Sequence, residues 1–411
     1  MRKTGRLLLC LGACASIFAI LAIASSRHLE TDHPDVALAL YPLNAEALIA
    51  DTVARLNRQD ADAPPEEMAA QVRRAVPANA GDARIYSLLG EILRRRGEAD
   101  TAYAMFDHAL TLASTEIHAL NWTVQRAVAA AEYDKAAEAL DLMFRRWPDR
   151  VGVFAAAVPQ VFSQADSYEV LLEMLAAAPP WRSRLISALA GGDDDDLAFT
   201  ARLLQDLALG ASPPAPSETA QLIASLFRHK QYDLAYRTFL LTLTPPEREL
   251  SGFVFNGQFR QGPSGRKFDW GLRQQSGMVL SLPSGPANGP SGYGLSLEFS
   301  GTPVLRIGLE QYLSLPSGAY EIEFRASATA AELPKSLMWA IDCVDPGQPI
   351  VRVEVPAGTY QERSVRDVFT IPQNCPVQTL TLRTNAMVES WSNRYSGKVL
   401  FHDIRILAVQ S

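Results

Sequence analysis

NGQFRQGPSGRKFDWGL, residues Asn256 to Leu272, marks a change in the grammar of the chain. Upstream, alanine is everywhere and apolar residues recur three and four apart, the spacing of helices. Downstream, glycine and proline separate short alternating segments, and residues 251–411 hold 16 of the 25 glycines. The stretch itself combines an Asn-Gly turn, a Gly/Pro/Ser loop with Arg260, Arg266 and Lys267, and then Phe268-Asp269-Trp270. It opens a second domain, either as the edge of a ligand site or as the first hairpin of a structural element.

Working upstream, the helical pattern runs from about Pro34 to Leu250. From Ala83, small and large residues fall at set places over 34 positions: Tyr86, Leu89, Gly90, Leu93, Gly97, Ala102, Phe106 and Ala109. Gly90 and Ala102 allow paired helices to approach, and Tyr86 and Phe106 fill the gap between them. A second copy starts at Ile117 and a fragment recurs at Ala235 and Phe239. This pattern resembles the tetratricopeptide (TPR) repeat, and the resemblance implies a stacked α-solenoid with a concave groove over residues 34–250. Gly191-Gly192 and Asp193 to Asp196 read as a loop leading into a helix cap, since the four carboxylates lack the alternating spacing of a calcium loop.

Composition bounds the partners. A chain of 411 residues is long for one core, so two domains are expected. Net charge is −7, with no cationic block in the folded part, which argues against nucleic acid. Residues 251–411 carry 14 Lys/Arg against 13 Asp/Glu, so the helical half holds the acidic excess and favours a basic protein partner.

The N-terminus sets the expected location. Arg2, Lys3 and Arg6 precede an uncharged run from Leu7 to Ala24, and residues 1–26 read as a signal anchor or a signal peptide cut near Ala24. The expectation is a bacterial inner-membrane protein with a periplasmic bulk, or a secreted periplasmic one. Cys10 and Cys14 lie in that segment, which leaves Cys343 and Cys375 as a disulfide candidate in an oxidising compartment.

Downstream, Tyr320, Ile322 and Phe324 share one strand face and Glu321, Glu323 and Arg325 the other, which reads as ordinary solvated charge. Leu337, Trp339, Ile341 and Cys343 alternate in the same way. Eight or so strands separated by turns predict an antiparallel β-sandwich over 251–411, a jelly roll. The Asn256-Gly257-x-Phe259 segment, read as an entry strand, and the final strand around Phe401 and Asp403 resemble the bracket of a galactose-binding-like jelly roll, the fold of many carbohydrate-binding modules. That resemblance implies that the first and last strands lie close together, with a structural calcium at Asp403. Arg260 stands where an acidic residue often follows the Phe. The whole arrangement also resembles accessory proteins of bacterial exopolysaccharide or O-antigen assembly.

An exposed indole supplies a flat apolar surface to the C–H face of a pyranose, and polar neighbours then fix the hydroxyl pattern. The candidates are Trp270 with Asp269, and Trp391 with Asn393, Arg394 and Tyr395. The chain has no Gly-x-Ser-x-Gly, His-Glu-x-x-His or P-loop motif. The reading is a non-catalytic envelope scaffold that binds a polysaccharide through the sandwich and an assembly or export protein through the helices. A purely protein-binding adaptor and a glycan-active hydrolase or lyase are the alternatives.

Overall fold

The computed structural model describes residues 2–58, 66–282, 293–386 and 393–409, with side chains from Ala13 onward. It divides into two compact units. One runs to Arg150 and takes in Gln164–Leu171, and the other holds Val151–Ser163 and everything from Leu172. The helical stretch is therefore shared between the units, and its last part belongs with the β-sandwich.

In the first unit, the helices Ala83–Arg95 and Ala99–Leu112 form a hairpin, and Ile117–Ala129 with Tyr133–Arg146 repeat it 34 residues later. The repeat is visible atom by atom. Gly97 and Ala131 both take a positive φ after the first helix, while Glu98 N donates to Leu93 O and Glu132 N to Ala127 O. Those bonds satisfy carbonyls that a helix end leaves open. Asp82 and Glu116 cap the two first helices by accepting from Arg84 N and Ala119 N. A Cβ on Gly90 would stand 2.7 Å from the Phe106 ring, so glycine is what lets this hairpin close. Ala102, Phe106 and Ala109 are fully buried beside it.

The N-terminal segment is one helix, Arg2–Leu29. Among the described residues no helix is long and apolar enough to cross a membrane, so the expected transmembrane anchor finds no support. The far end of this helix is built into the unit, with Ser26 donating to Ala37 O at 2.8 Å and accepting from Asn44 at 2.9 Å.

The second unit carries helices Arg182–Leu189, Asp194–Leu209, Pro216–Arg228 and Tyr232–Leu241. Asp193 caps the second of these, which accounts for the four-aspartate run. Arg182 is buried against Glu218 and fastens two of the helices together.

Ten strands then follow. They are β1 (Gly271–Leu272), β2 (Met278–Ser281), β3 (Leu295–Pro303), β4 (Leu309–Leu313), β5 (Gly318–Glu332), β6 (Leu337–Cys343), β7 (Pro349–Glu354), β8 (Gly358–Ile371), β9 (Gln378–Thr384) and β10 (Arg394–Ala408). They form two five-stranded sheets, ordered β1-β4-β9-β6-β7 and β2-β3-β10-β5-β8. Every pairing is antiparallel. This is a two-sheet sandwich whose core is made by the alternating inward residues, among them Leu297, Ile322, Phe324, Trp339, Leu380 and Phe401. Cys343 at the end of β6 is joined to Cys375, with 5.6 Å between their Cα atoms.

Two expectations change here. Asn256 to Phe259 is a turn rather than a strand, because Asn256 and Phe259 both adopt a positive φ. The bracket is still made, since Ile404 N of β10 donates to Gly257 O at 2.9 Å. A side chain at Gly257 would collide with that Ile404 carbonyl. Glu323 also departs from the solvated reading and is only 4% exposed, because three donors from neighbouring strands close over it.

Candidate functional site

The opening stretch proves structural in every contact it makes. Asn256 is buried and organises its own loop, accepting from Arg260 N and donating to Gln261 O at 2.8 Å each. Its carbonyl accepts from Trp270 Nε1 at 3.1 Å. Trp270 is 2% exposed and lies against Phe259 and Trp339 in the sandwich core. Phe268, two residues earlier, points the other way, into Phe227, Tyr236 and Phe239 of the adjoining helices. Arg266 is buried and paired with Glu247. Asp269 accepts from Ser264 N and Trp270 N at 2.7 Å each, and burial pushes its carboxyl up despite those bonds. Phe-Asp-Trp is thus a staple with one ring in each layer. A ring buried this deeply offers no face to a sugar, and Asp269 and Trp270 are withdrawn as a sugar platform.

Of the second cluster, Trp391 lies outside the described residues. Tyr395 is fully buried, and its hydroxyl is hydrogen-bonded to Thr384 and donates to Lys335 O. Asn393 is 5% exposed, and only Arg394 reaches solvent. Tyr395 is a core residue, since both its ring and its hydroxyl are occupied. Asp403, the calcium candidate, faces Arg325 at 3.7 Å. Among the described residues no cluster of three acidic, histidine or cysteine side chains could hold a metal. An ion pair with one guanidinium is not a calcium site, which needs six or more oxygens.

The outer face of β10-β5-β8 is a polar lattice instead of free charge. Glu323 accepts from Ser364 at 2.6 Å and from Arg366 and Arg405 at 3.0 and 2.8 Å. Burial works against its charge, but these donors win and hold the carboxyl at about 2. Further along β5 and β10, His402 Nε2 and Ser327 Oγ are 2.6 Å apart. Both oxygens of Glu323 are therefore engaged by fixed partners, a poor arrangement for moving protons.

A large opening lies in the helical unit. It is a cavity of about 1050 Å³ lined by the successive first helices, Ala83–Arg95 and Ile117–Ala129, together with Ile49, Val53, Leu56 and Asn57 of the helix Ala45–Arg58 and the turn at 78–82. Arg84, Ser87, Glu91 and Arg95 line it from one helix, and His118, Asn121 and Trp122 from the next. Arg146 and Trp147 also line it. Trp122 stacks on Phe106 and carries the Arg94 guanidinium 4.1 Å from its ring centre. Arg146 sits 4.4 Å from the Trp147 ring, whose Nε1 donates to Thr115 O. Burial disfavours the charge on Glu91, and the guanidiniums of Arg94 and Arg95 outweigh it, so its carboxyl lies below the usual range. Asp82, Glu91 and Glu116 are all bonded within the wall, to Arg84, to Arg94 and Arg95, and to Ser87. The acidic excess of this half is thus not displayed in its groove.

The sequence reading missed these two half-buried tryptophans. The signal was present in the three- and four-residue spacing of Arg84, Ser87, Leu88, Glu91 and Arg95, and of His118, Asn121 and Trp122, which puts each set on one helix face.

No family model matches the chain, and no curated protein matches it in sequence. Similar solved structures include carbohydrate-binding modules. A CBM4 structure is 13% identical, with 38% of this chain and 99% of that chain covered and a TM-score of 0.29. TmCBM61 in complex with β-1,4-galactotriose is 16% identical, with 39% and 99% covered and a TM-score of 0.27. The CBM22-1 xylan-binding domain from Paenibacillus barcinonensis Xyn10C is 14% identical, with 38% and 93% covered and a TM-score of 0.26.

Proposed function

We propose that this protein is an exported, non-catalytic scaffold of the bacterial cell envelope. In this reading the 34-residue hairpins act as a TPR-like module that holds an extended segment of a protein partner, and the sandwich binds a polysaccharide. The observation that carries it is the cavity of about 1050 Å³, built from equivalent faces of successive hairpins. It is as large as the roomiest small-molecule sites. Its lining mixes indole rings, amides and guanidiniums, which suits a polypeptide with both apolar and polar side chains. Export is supported by the disulfide between Cys343 and Cys375 and by the cationic N-terminus. Ile17, Phe18, Ile20 and Leu21 are all more than half exposed on the first helix, an apolar surface that favours a membrane over water. Work in exopolysaccharide or O-antigen assembly or export fits this organisation.

The test is site-specific photo-crosslinking in cells, with the reactive group placed at Asn121 and, as a control, at Lys135 on the outer helix. The reading expects one discrete adduct from Asn121 that Arg146→Ala abolishes, and none from Lys135. Identical adduct patterns from both positions would sink the groove as the binding surface.

A further inference from the structure

A second opening, of about 400 Å³, lies in the sandwich at the β4–β9 end of the first sheet. Its rim includes Arg273, Arg306 and Arg383 with one carboxylate, Glu310. Asp342 pairs with Arg383 beside the cleft, so three guanidiniums meet two carboxylates there, in a sandwich that is nearly neutral as a whole. Backbone pairing fixes the walls. Arg273 N donates to Gly308 O at 2.8 Å, and Glu310 pairs with Thr381 across β4 and β9. Along β9, Leu380 and Leu382 point into the core, which leaves Thr381 and Arg383 on the outer face.

Two of the three cations are lightly held. Arg273 is 78% exposed and only 3.6 Å from Glu310, and Arg306 is exposed. Arg383 is paired with Asp342, and burial lowers its affinity for a proton. A second, independent feature marks the same wall. Thr381 Oγ1 and Arg383 Nε are buried polar atoms without a hydrogen-bond partner among the described residues. Orphan polar groups of this kind are rare in folded proteins and ask for a reason. A bound anion that accepts from the Thr381 hydroxyl and from Arg383, its side chain turned toward the cleft, supplies one.

We propose that this cleft binds a carboxylate-bearing polysaccharide, with Arg273, Arg306 and Arg383 as the recognition residues. The proposal rests on the reading of the sandwich as a glycan-binding domain and names its substrate class. Guanidinium forks match carboxylates in a bidentate way that neutral sugars cannot use. Leu305, 36% exposed on the rim, offers an apolar edge to the ring C–H groups. The lining contains no aromatic ring, which disfavours single-stranded nucleic acid, whose bases need stacking platforms.

The experiment is affinity electrophoresis and calorimetry of the full chain with polygalacturonate, with its methyl ester as the uncharged counterpart, and with a single-stranded oligonucleotide. The expected result is binding to polygalacturonate that falls at least tenfold for Arg273→Gln/Arg306→Gln and for Arg383→Lys, and weakens as salt is raised. Arg363→Gln, on the opposite sheet, leaves it unchanged. Equal binding of the ester or the oligonucleotide would overturn the proposal, as would binding unaffected by the cleft variants. If a neutral polysaccharide binds and polygalacturonate does not, the cleft proposal fails while the glycan reading stands. If no polysaccharide binds at all, both fall.

Discussion

Trp270 and Trp122 are the same residue type put to opposite uses. In the sandwich, Trp270 sits between Phe259 and Trp339, with its one polar atom spent on Asn256 O. In the helical unit, Trp122 is half-buried on a cavity wall, propped by Phe106 and covered by Arg94. The difference lies in what surrounds each ring. A two-sheet sandwich closes over whatever points inward, whereas successive hairpins bury only one side of each first helix and leave the other along a groove. A polar neighbour in the sequence therefore says little about exposure: Asp269 accompanies a core ring, and Asn121 a groove ring.

The largest expected effect comes from removing the buried member of that pair. Trp270→Ala should cost about 4 kcal/mol and unfold the sandwich at a much lower denaturant midpoint, with the first unit's transition unmoved. A sandwich of near-wild-type stability would mean that the ring is not the plug its contacts describe. Next in size, Gly90→Ala drives a methyl into the Phe106 ring and should cost about 2 kcal/mol in the first unit, read by thermal unfolding.

Glu323→Gln should cost about 1 to 2 kcal/mol at neutral pH, because Arg366 and Arg405 are half-exposed and water screens part of the loss. Its pH signature is directional. A carboxyl held at about 2 contributes stability above its unfolded value near 4.5 and loses it as pH falls through that window. The wild-type sandwich should therefore weaken between about pH 4.5 and 2, and the variant should show a shallower slope there. Parallel acid limbs would refute the lattice. The smallest structural effect is expected of Arg146→Ala, within about 0.5 kcal/mol, although it removes a groove cation. A large loss of stability would move Arg146 from the groove surface into the fold.

Much of the architecture was legible from the chain. The change from spacing of three and four to alternation near Leu250 separates helices from strands, and the 34-residue step from Ala83 to Ile117 is the observed hairpin repeat. Leu337 to Cys343 reads as a strand and is one, with its cysteine bonded to Cys375. The site was less legible. Asn256-Gly257 reads as a turn opening an entry strand, yet positive φ at Asn256 and Phe259 and the approach of Ile404 from nearly 150 positions away keep the whole segment a turn. Glu323 alternates onto an outward face, and only β8 and β10 bring the donors that bury it.

Local chemistry determined the elements of this protein, because period, glycine placement and turn residues act over a few positions. Only the tertiary structure decided which rings are core and which line a groove, where Arg273, Arg306 and Arg383 converge, and how Phe268 and Trp270 come to pin two layers together. Those outcomes depend on which distant strand or helix arrives alongside, and burial is a property of that arrival.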